Sequence, residues 1–446
     1  MSCLVHFAEK HCALFSVLLG ATLVFISLGP YSNWDSQIEY TAAANILKFG
    51  VPFATPGNLI NQPPIGFYLS ALFLRIFGAS YTTGIAEITV FGLGCVFLVY
   101  KVGKTIYGPI TGVVAAGLFA LIPWNAVLSR SFLIDVQCLF FSLLSLLVGI
   151  WAVRKNSLKL TLATGILFSF ALLTKFFAVF TLIPLALFFA YYRPKSLQRI
   201  FVGIGLFILP AFLAYLLWYQ VISGLGFFSV FTHTDFISLS QEAAPSPFFL
   251  FNFFLMTPGL FFLLAVGISL FLSIWKRNHF AKTAFFDIAC LATILGTISV
   301  NMYLVLAQSL WVPYVDILKY YYPLLPPFCW LAASLAPKAY IVATAASEEV
   351  KRRKLLLAAT LIGLGLMAGS IILNIQSLHW LAGQDYFLFR LEGDIGYSFV
   401  RLAPTFGQQY LSAIQELGFA LLLLGLLWVS KSKLAANHVL KKSNFS

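Results

Sequence analysis

Charge is what this sequence has least of: only 10% of its 446 residues are Asp, Glu, Lys or Arg. A water-soluble domain carries about 25% charged residues, so a soluble globular chain is excluded. Long polar linkers, internal repeats and low-complexity segments are also missing, which leaves one helical domain as the economical reading. Cysteine is scarce. The six residues at 3, 12, 95, 138, 290 and 329 form no CxxC pair, and none falls in a segment assigned to the outside. That excludes a disulfide framework and a zinc ribbon.

What fills the chain instead is apolar: 60% hydrophobic residues, 46 of them Phe. A bilayer crossing takes about 20 apolar residues. By that measure the predicted fold is all-α, a polytopic integral membrane protein with about twelve spans. They lie near 12–29, 83–100, 107–125, 132–153, 158–175, 177–192, 200–222, 253–275, 284–307, 320–336, 355–376 and 415–430. The first is read as a retained anchor rather than a cleaved signal, because its apolar run is long and Pro30 would follow the cut.

The net charge of +13 raises the question of nucleic acid, but its distribution answers differently. With the N-terminus inside, cytoplasmic segments hold 21 of the 28 Lys and Arg, while the outer segments hold 11 of the 15 acids. This positive-inside bias predicts a multi-pass plasma-membrane protein with both termini cytoplasmic, and no nucleic-acid partner. Three outer segments stand out, at 31–82, 223–252 and 377–414. In the first, "SQIEYTAAANILK" (36–48) suits a helix lying along the membrane surface. "NQPPIGFYLSALFLRIFG" opens a second short helix, with Pro63 and Pro64 in its first turn. The chain divides into a core over 1–336 and C-terminal spans over 337–446.

This topology brings ionisable residues from remote segments to one bilayer face: Asp35, Asp135, Lys175, His233 and Lys319. Charges at span ends are commonly solvated or snorkelling, and that reading stands beside the functional one for Lys175, His233 and Lys319. Asp35 also suits an N-cap for 36–48, and Glu39, one turn on, a solvated helix face. Asp135 opens a span, where a buried acid is costly and tends to be functional. Carboxylates and cations together at a membrane surface suit transfer of a group from a lipid phosphate. A carboxylate takes the proton from the attacking hydroxyl or amine, and cations neutralise the departing phosphate.

Five stretches occur in a familiar order: "NWDSQIEYTAAANILKFGVPF", "NQPPIGFYLSALF", "SRSFLIDVQCLFFSLLSL", "GILFSFALLTKFF" and "KYYYPLLPPFCWLAA". Over residues 10 to about 336 the chain resembles the type-C glycosyltransferases of the dolichyl-phosphate-mannose protein mannosyltransferase and lipid A aminoarabinose transferase group. The resemblance implies an active site on the non-cytoplasmic face, a polyprenyl-phosphate sugar donor, and inversion at the anomeric carbon. Mannose or a related hexose or pentose would pass to a protein, lipid or glycan acceptor. Asp35 matches the catalytic acid and would be the base. Asp135 matches the second acid, and Lys175 and Lys319 match the cations facing the donor phosphate. Glu39, Gln62, Arg130 and His233 complete the candidate donor- or substrate-binding set. A divalent metal is left open, with Asp35, Asp135 and His233 as its candidate ligands. Two positions depart from the group's pattern: Ser36 stands where Glu is common, and Gln62 where Lys is frequent. Two other readings remain at this stage, a lipid or sugar transporter or flippase without covalent chemistry, and an inactive scaffold.

Overall fold

The structure, a computed structural model, describes residues 2–27, 31–32, 34–55, 58–60, 62–191, 196–222, 259–275, 277–307, 322–344 and 400–401. Almost all of these are helical. The first helix, α1 (Ser2–Ser27), is followed by the two-residue strand β1 (Tyr31–Ser32) and by α2 (Trp34–Phe49). Asp35 in the first turn and Lys48 in the last complement the α2 macrodipole. A small hairpin, β2 (Phe53–Thr55) and β3 (Asn58–Leu59), then leads to α3 (Ile65–Phe77). The Asn45 amide donates to the Phe53 carbonyl at 2.7 Å, and the Tyr68 hydroxyl to the Gly50 carbonyl at 2.9 Å. The described residues between α1 and α4 thus form a packed helix–hairpin–helix unit. Both of its expected helices are present, although the second starts at Ile65, after both prolines.

The bundle proper consists of α4 (Tyr81–Tyr107), α5 (Pro109–Leu121), α6 (Pro123–Leu128), α7 (Asp135–Arg154) and α8 (Leu158–Leu172). A 3-10 turn (Phe176–Thr181) follows, then α9 (Leu182–Tyr191), α10 (Leu197–Ile222), α11 (Gly259–Trp275) and α12 (Arg277–Ala307). A second 3-10 turn (Tyr322–Leu324) leads into α13 (Leu325–Thr344). Helix starts carry local signals. Ser80 accepts from the Thr83 amide and Ser157 from the Leu160 amide, and Pro109 opens α5 directly after Gly108. Gly108 has φ +103°, a backbone region open to glycine at little cost, and this makes the α4–α5 reversal sharp.

The helices alternate in direction. Arg154 at the end of α7 donates to the Thr105 carbonyl near the end of α4, at 3.1 Å. The starts of α4 and α7 therefore share one end of the bundle, and α8 returns to that end. The core lies where α4, α5 and α13 meet. Trp330 is buried there and donates its indole N–H to the Val99 carbonyl at 2.9 Å. Opposite faces stay apolar and uncovered, as on α10, where Leu197, Phe201, Ile208 and Phe212 are exposed. That is how a helix surface in lipid is composed.

Helices of the described residues correspond to ten of the twelve expected spans, and the runs 355–376 and 415–430 lie outside those residues. Among the described residues, Tyr81–Tyr107, Asp135–Arg154 and Leu197–Leu216 are the helices long and apolar enough to cross a membrane by length and composition. Several others fall short because a proline or an extended residue divides the apolar run. The 107–125 run splits at Pro123, and the 177–192 run begins as a 3-10 turn. The division drawn at residue 336 falls inside α13, which continues through Pro337. Of the 377–414 segment, Val400–Arg401 (β4) is described. It pairs antiparallel with β1, Tyr31 opposite Arg401, and so reaches the chain just before α2.

Candidate active site

Three segments far apart in sequence meet at the end of the bundle where α4 and α7 begin. From α2 comes Glu39, 1% exposed, and from the first turn of α7 comes Asp135, 3% exposed. The third, Lys175, sits in extended backbone (φ −159°, ψ 144°) between α8 and the 3-10 turn. That interruption turns the lysine inward instead of letting it continue a helix face. Its Nζ lies 2.6 Å from Asp135 Oδ2 and 3.4 Å from Glu39 Oε1. The other Glu39 oxygen accepts the Ile134 backbone N–H at 2.9 Å, directly ahead of α7. The lysine backbone is held as well. The Cys138 thiol, one turn into α7, donates to the Lys175 carbonyl at 3.4 Å.

Two buried carboxylates share one ammonium, a formal balance of −1. The α7 N-terminus supplies the remaining compensation, since both acids face the positive end of its dipole. One acceptor is unused: Asp135 Oδ1 is buried without a hydrogen-bond partner among the described residues. Asp35 stands one helical turn before Glu39, about 6 Å away along the same face of α2. Unlike Glu39 and Asp135 it is only half-buried. The cluster is therefore graded, with a dry ion-paired base and a carboxylate nearer the surface.

The loop before α3 closes one side. The Ile65 amide donates to the Leu173 carbonyl at 2.9 Å, two residues before Lys175. Gly66 permits this approach, because a Cβ there would stand 2.9 Å from both Gln137 Oε1 and Thr174 Cγ2. Gln62, partly exposed, keeps its Oε1 buried and without a partner among the described residues. Arg130 donates to Thr89 Oγ1 at 3.2 Å on α4. Ser36 is fully buried and pairs with the Tyr81 hydroxyl at 2.7 Å, beside Tyr40 and Phe132. Position 36 thus faces the start of α4, and the α2 carboxylate that reaches Lys175 is Glu39. Lys319 and His233 lie outside the described residues.

Metal binding was left open in the sequence. Among the described residues no group of three or more His, Cys, Asp and Glu could hold an ion. Glu39 and Asp135 already hold an ammonium between them, in the position a bridging cation would need. His233, the third candidate ligand, lies outside the described residues.

Reading the sequence missed two buried groups. Glu87 lies inside the apolar run of α4, with Gln137 Nε2 donating to its Oε1 at 2.8 Å and to Ser70 Oγ at 2.8 Å. Asp287, from "TAFFDIACLAT", forms a second ionic cluster at the opposite end of the bundle. Its Oδ2 accepts from Lys338 Nζ at 2.8 Å and from Ser273 at 2.6 Å, and its Oδ1 accepts from Tyr107. Lys338 also donates to Ser269 at 2.8 Å. A single acid inside an apolar run was the available signal for both. Ionisable groups are accordingly not confined to one end of the molecule, as the sequence had suggested.

Comparison with known proteins places this geometry in a class. The fold is that of the type-C glycosyltransferases. The oligosaccharyltransferase AglB of Archaeoglobus fulgidus, solved with an inhibitory peptide and a dolichol-phosphate, superposes with a TM-score of 0.54 at 16% identity, over 83% of this chain and 56% of that one. ArnT of Cupriavidus metallidurans, bound to undecaprenyl phosphate, gives 0.52 at 14% identity over 94% and 77%. More narrowly, residues 61–218 match the family described as dolichyl-phosphate-mannose-protein mannosyltransferase. The matched residues run across α3 to α10 and include Glu87, Asp135, Gln137 and Lys175. The Bacillus subtilis (strain 168) protein named "Putative mannosyltransferase YycA" is 28% identical over 182 residues, 39% of this chain. The match spans about a quarter, 26%, of that relative's length.

Proposed function

We propose that the chain is an inverting glycosyltransferase that moves a sugar, mannose or a relative, from a polyprenyl-phosphate donor to an acceptor at the non-cytoplasmic membrane face. One observation carries the reading: Glu39, Lys175 and Asp135 converge from three remote segments, and Asp35 stands one helical turn before Glu39 on α2. The family segment over 61–218 supports it, as does a fold shared with proteins solved with dolichol-phosphate and undecaprenyl phosphate.

In the transfer, an acceptor oxygen or nitrogen attacks the anomeric carbon. The carbon–oxygen bond to phosphate breaks, and the polyprenyl phosphate leaves with the electron pair. Asp35, the carboxylate nearest the surface, takes the acceptor proton, a role worth about 10²–10⁴ in rate. Asp135 and Glu39 hold Lys175 between them in a dry environment. For Lys175 to meet the donor phosphate as well, it exchanges its 3.4 Å contact with Glu39 and keeps the 2.6 Å contact with Asp135. Arg130 and Lys319 supply further positive charge towards the phosphate. The open oxygen of Asp135 accepts a hydroxyl of the sugar.

The test is transfer of labelled sugar from polyprenyl-phosphate-mannose, and from a pentose analogue, by the full chain in nanodiscs. Asp35→Asn is expected to lose at least about a hundredfold in rate, and a rate near wild type would remove Asp35 as the base. Pro210 inside α10, a break within a spanning helix, favours a second reading, transport. Substrate uptake into proteoliposomes with no covalent product would select it.

A further inference from the structure

Glu87 is a carboxyl buried to 2% exposure, about 9 Å along α4 from its first residue. A buried charge of this kind is costly unless it is paired. Among the described residues, the groups that touch it are neutral. Gln137 Nε2 donates to Oε1 at 2.8 Å, Ser70 lies on the same amide nitrogen, and Oε2 has no partner. The charged groups on neighbouring segments at this end of the bundle have other partners: Asp135 pairs with Lys175, and Arg130 donates to Thr89 Oγ1. A neutral carboxylic acid fits that setting, because its Oε1 still accepts from Gln137 and it carries no charge to compensate.

Gln137 makes this acid relevant to the site. It is fully buried two residues after Asp135, its amide joins α3, α4 and α7, and its Oε1 lies where a Cβ on Gly66 would meet it at 2.9 Å. Gly66 belongs to the turn whose Ile65 amide is bonded to the Leu173 carbonyl, next to Lys175.

We propose that Glu87 is a positioning residue for the transfer reaction: as the neutral acid it fixes the Gln137 amide, which sets the first turn of α3 against Asp135 and Lys175. The role of Glu87 rests on the transferase reading above. Glu87→Gln keeps shape, neutrality and a donor–acceptor pair, and is expected to retain most of the wild-type kcat. Glu87→Ala frees Gln137 and is expected to lower kcat by about a hundredfold, the scale of a 1 Å misplacement, while both proteins remain monodisperse. An infrared spectrum of the wild type at neutral pH is expected to carry a carboxylic-acid C=O band that Glu87→Gln removes, which tests the acid even where Glu87→Ala fails to fold. The inference is overturned if Glu87→Gln is as impaired as Glu87→Ala, if Glu87→Ala works like wild type, or if the acid band is missing. A wild-type chain with no transfer at all sinks the transferase reading instead, while the infrared comparison still decides the state of Glu87.

Discussion

The molecule holds two buried ionic clusters, one at each end of the bundle, and they are built on opposite plans. At one end Asp287 has every acceptor engaged, by Lys338, Ser273 and Tyr107, and Lys338 is shared with Ser269. At the other end Lys175 serves two carboxylates at unequal distances, Asp135 keeps one oxygen open, and a further acid, Asp35, stands half-buried one helical turn before Glu39. A saturated network ties helices together, whereas an unsaturated one has room for something else to bind. The difference separates a brace from a site without any appeal to sequence similarity.

The most severe way to break this contrast is Lys175→Met. It strands two buried acids and is expected to cost about 3–5 kcal/mol of stability, with transfer reduced by about 10²–10³ in whatever folds. Thermal unfolding in detergent and rate per folded molecule measure the two effects separately. Lys338→Met is expected to show the first effect without the second: a comparable loss of about 3–5 kcal/mol, but transfer per folded molecule preserved. Loss of transfer there would merge the two clusters into one functional unit. The double variant Asp287→Leu/Lys338→Met sharpens the point. Replacing a whole buried pair by apolar residues is often neutral or stabilising, so its unfolding temperature should recover towards wild type.

Smaller changes probe how the site end is packed. Gly66→Ala places a methyl against Gln137 and Thr174 and is expected to cost about 1–3 kcal/mol, with kcat falling because the α3 turn moves off Lys175. Ser36→Ala removes one hydrogen bond to Tyr81 and should cost about 1 kcal/mol, seen as a modest shift in unfolding and little change in transfer. A large catalytic loss from Ser36→Ala would mean that position 36 takes part in the chemistry despite its neutral side chain.

Much of the fold was legible before any coordinates. Ten apolar runs coincide with helices because a run of that composition without water has one way to satisfy its backbone. The helix over 36–48 was visible in its spacing, and the observed element is Trp34–Phe49. Harder to see was where runs break. The junction between the 158–175 and 177–192 runs proves to be the extended residue Lys175 followed by a 3-10 turn. Nothing local in "LLTKFFAVF" dictates that conformation. Docking of the Ile65 amide on Leu173, of Cys138 on Lys175, and of the lysine on two acids holds it there.

Among the site residues, Asp35, Asp135 and Lys175 stood out as charges at the ends of apolar runs. Glu39 read equally well as a solvated face, yet it is buried and bridges Lys175 to the start of α7. Glu87 and Asp287 passed unremarked, since one acid in an apolar helix is invisible until its partners are known.

By composition and charge distribution alone, the chain determined that it is helical, apolar on its outer surface, and bearing acids where runs end, because solvation costs for backbone and charge act on each segment independently. Which acids meet which cations was decided only by the tertiary structure. Glu39, Asp135 and Lys175 are separated by up to 136 positions, and a buried ion pair is favourable only when packing brings its members within about 3–4 Å, a property of the assembled bundle that no single segment holds.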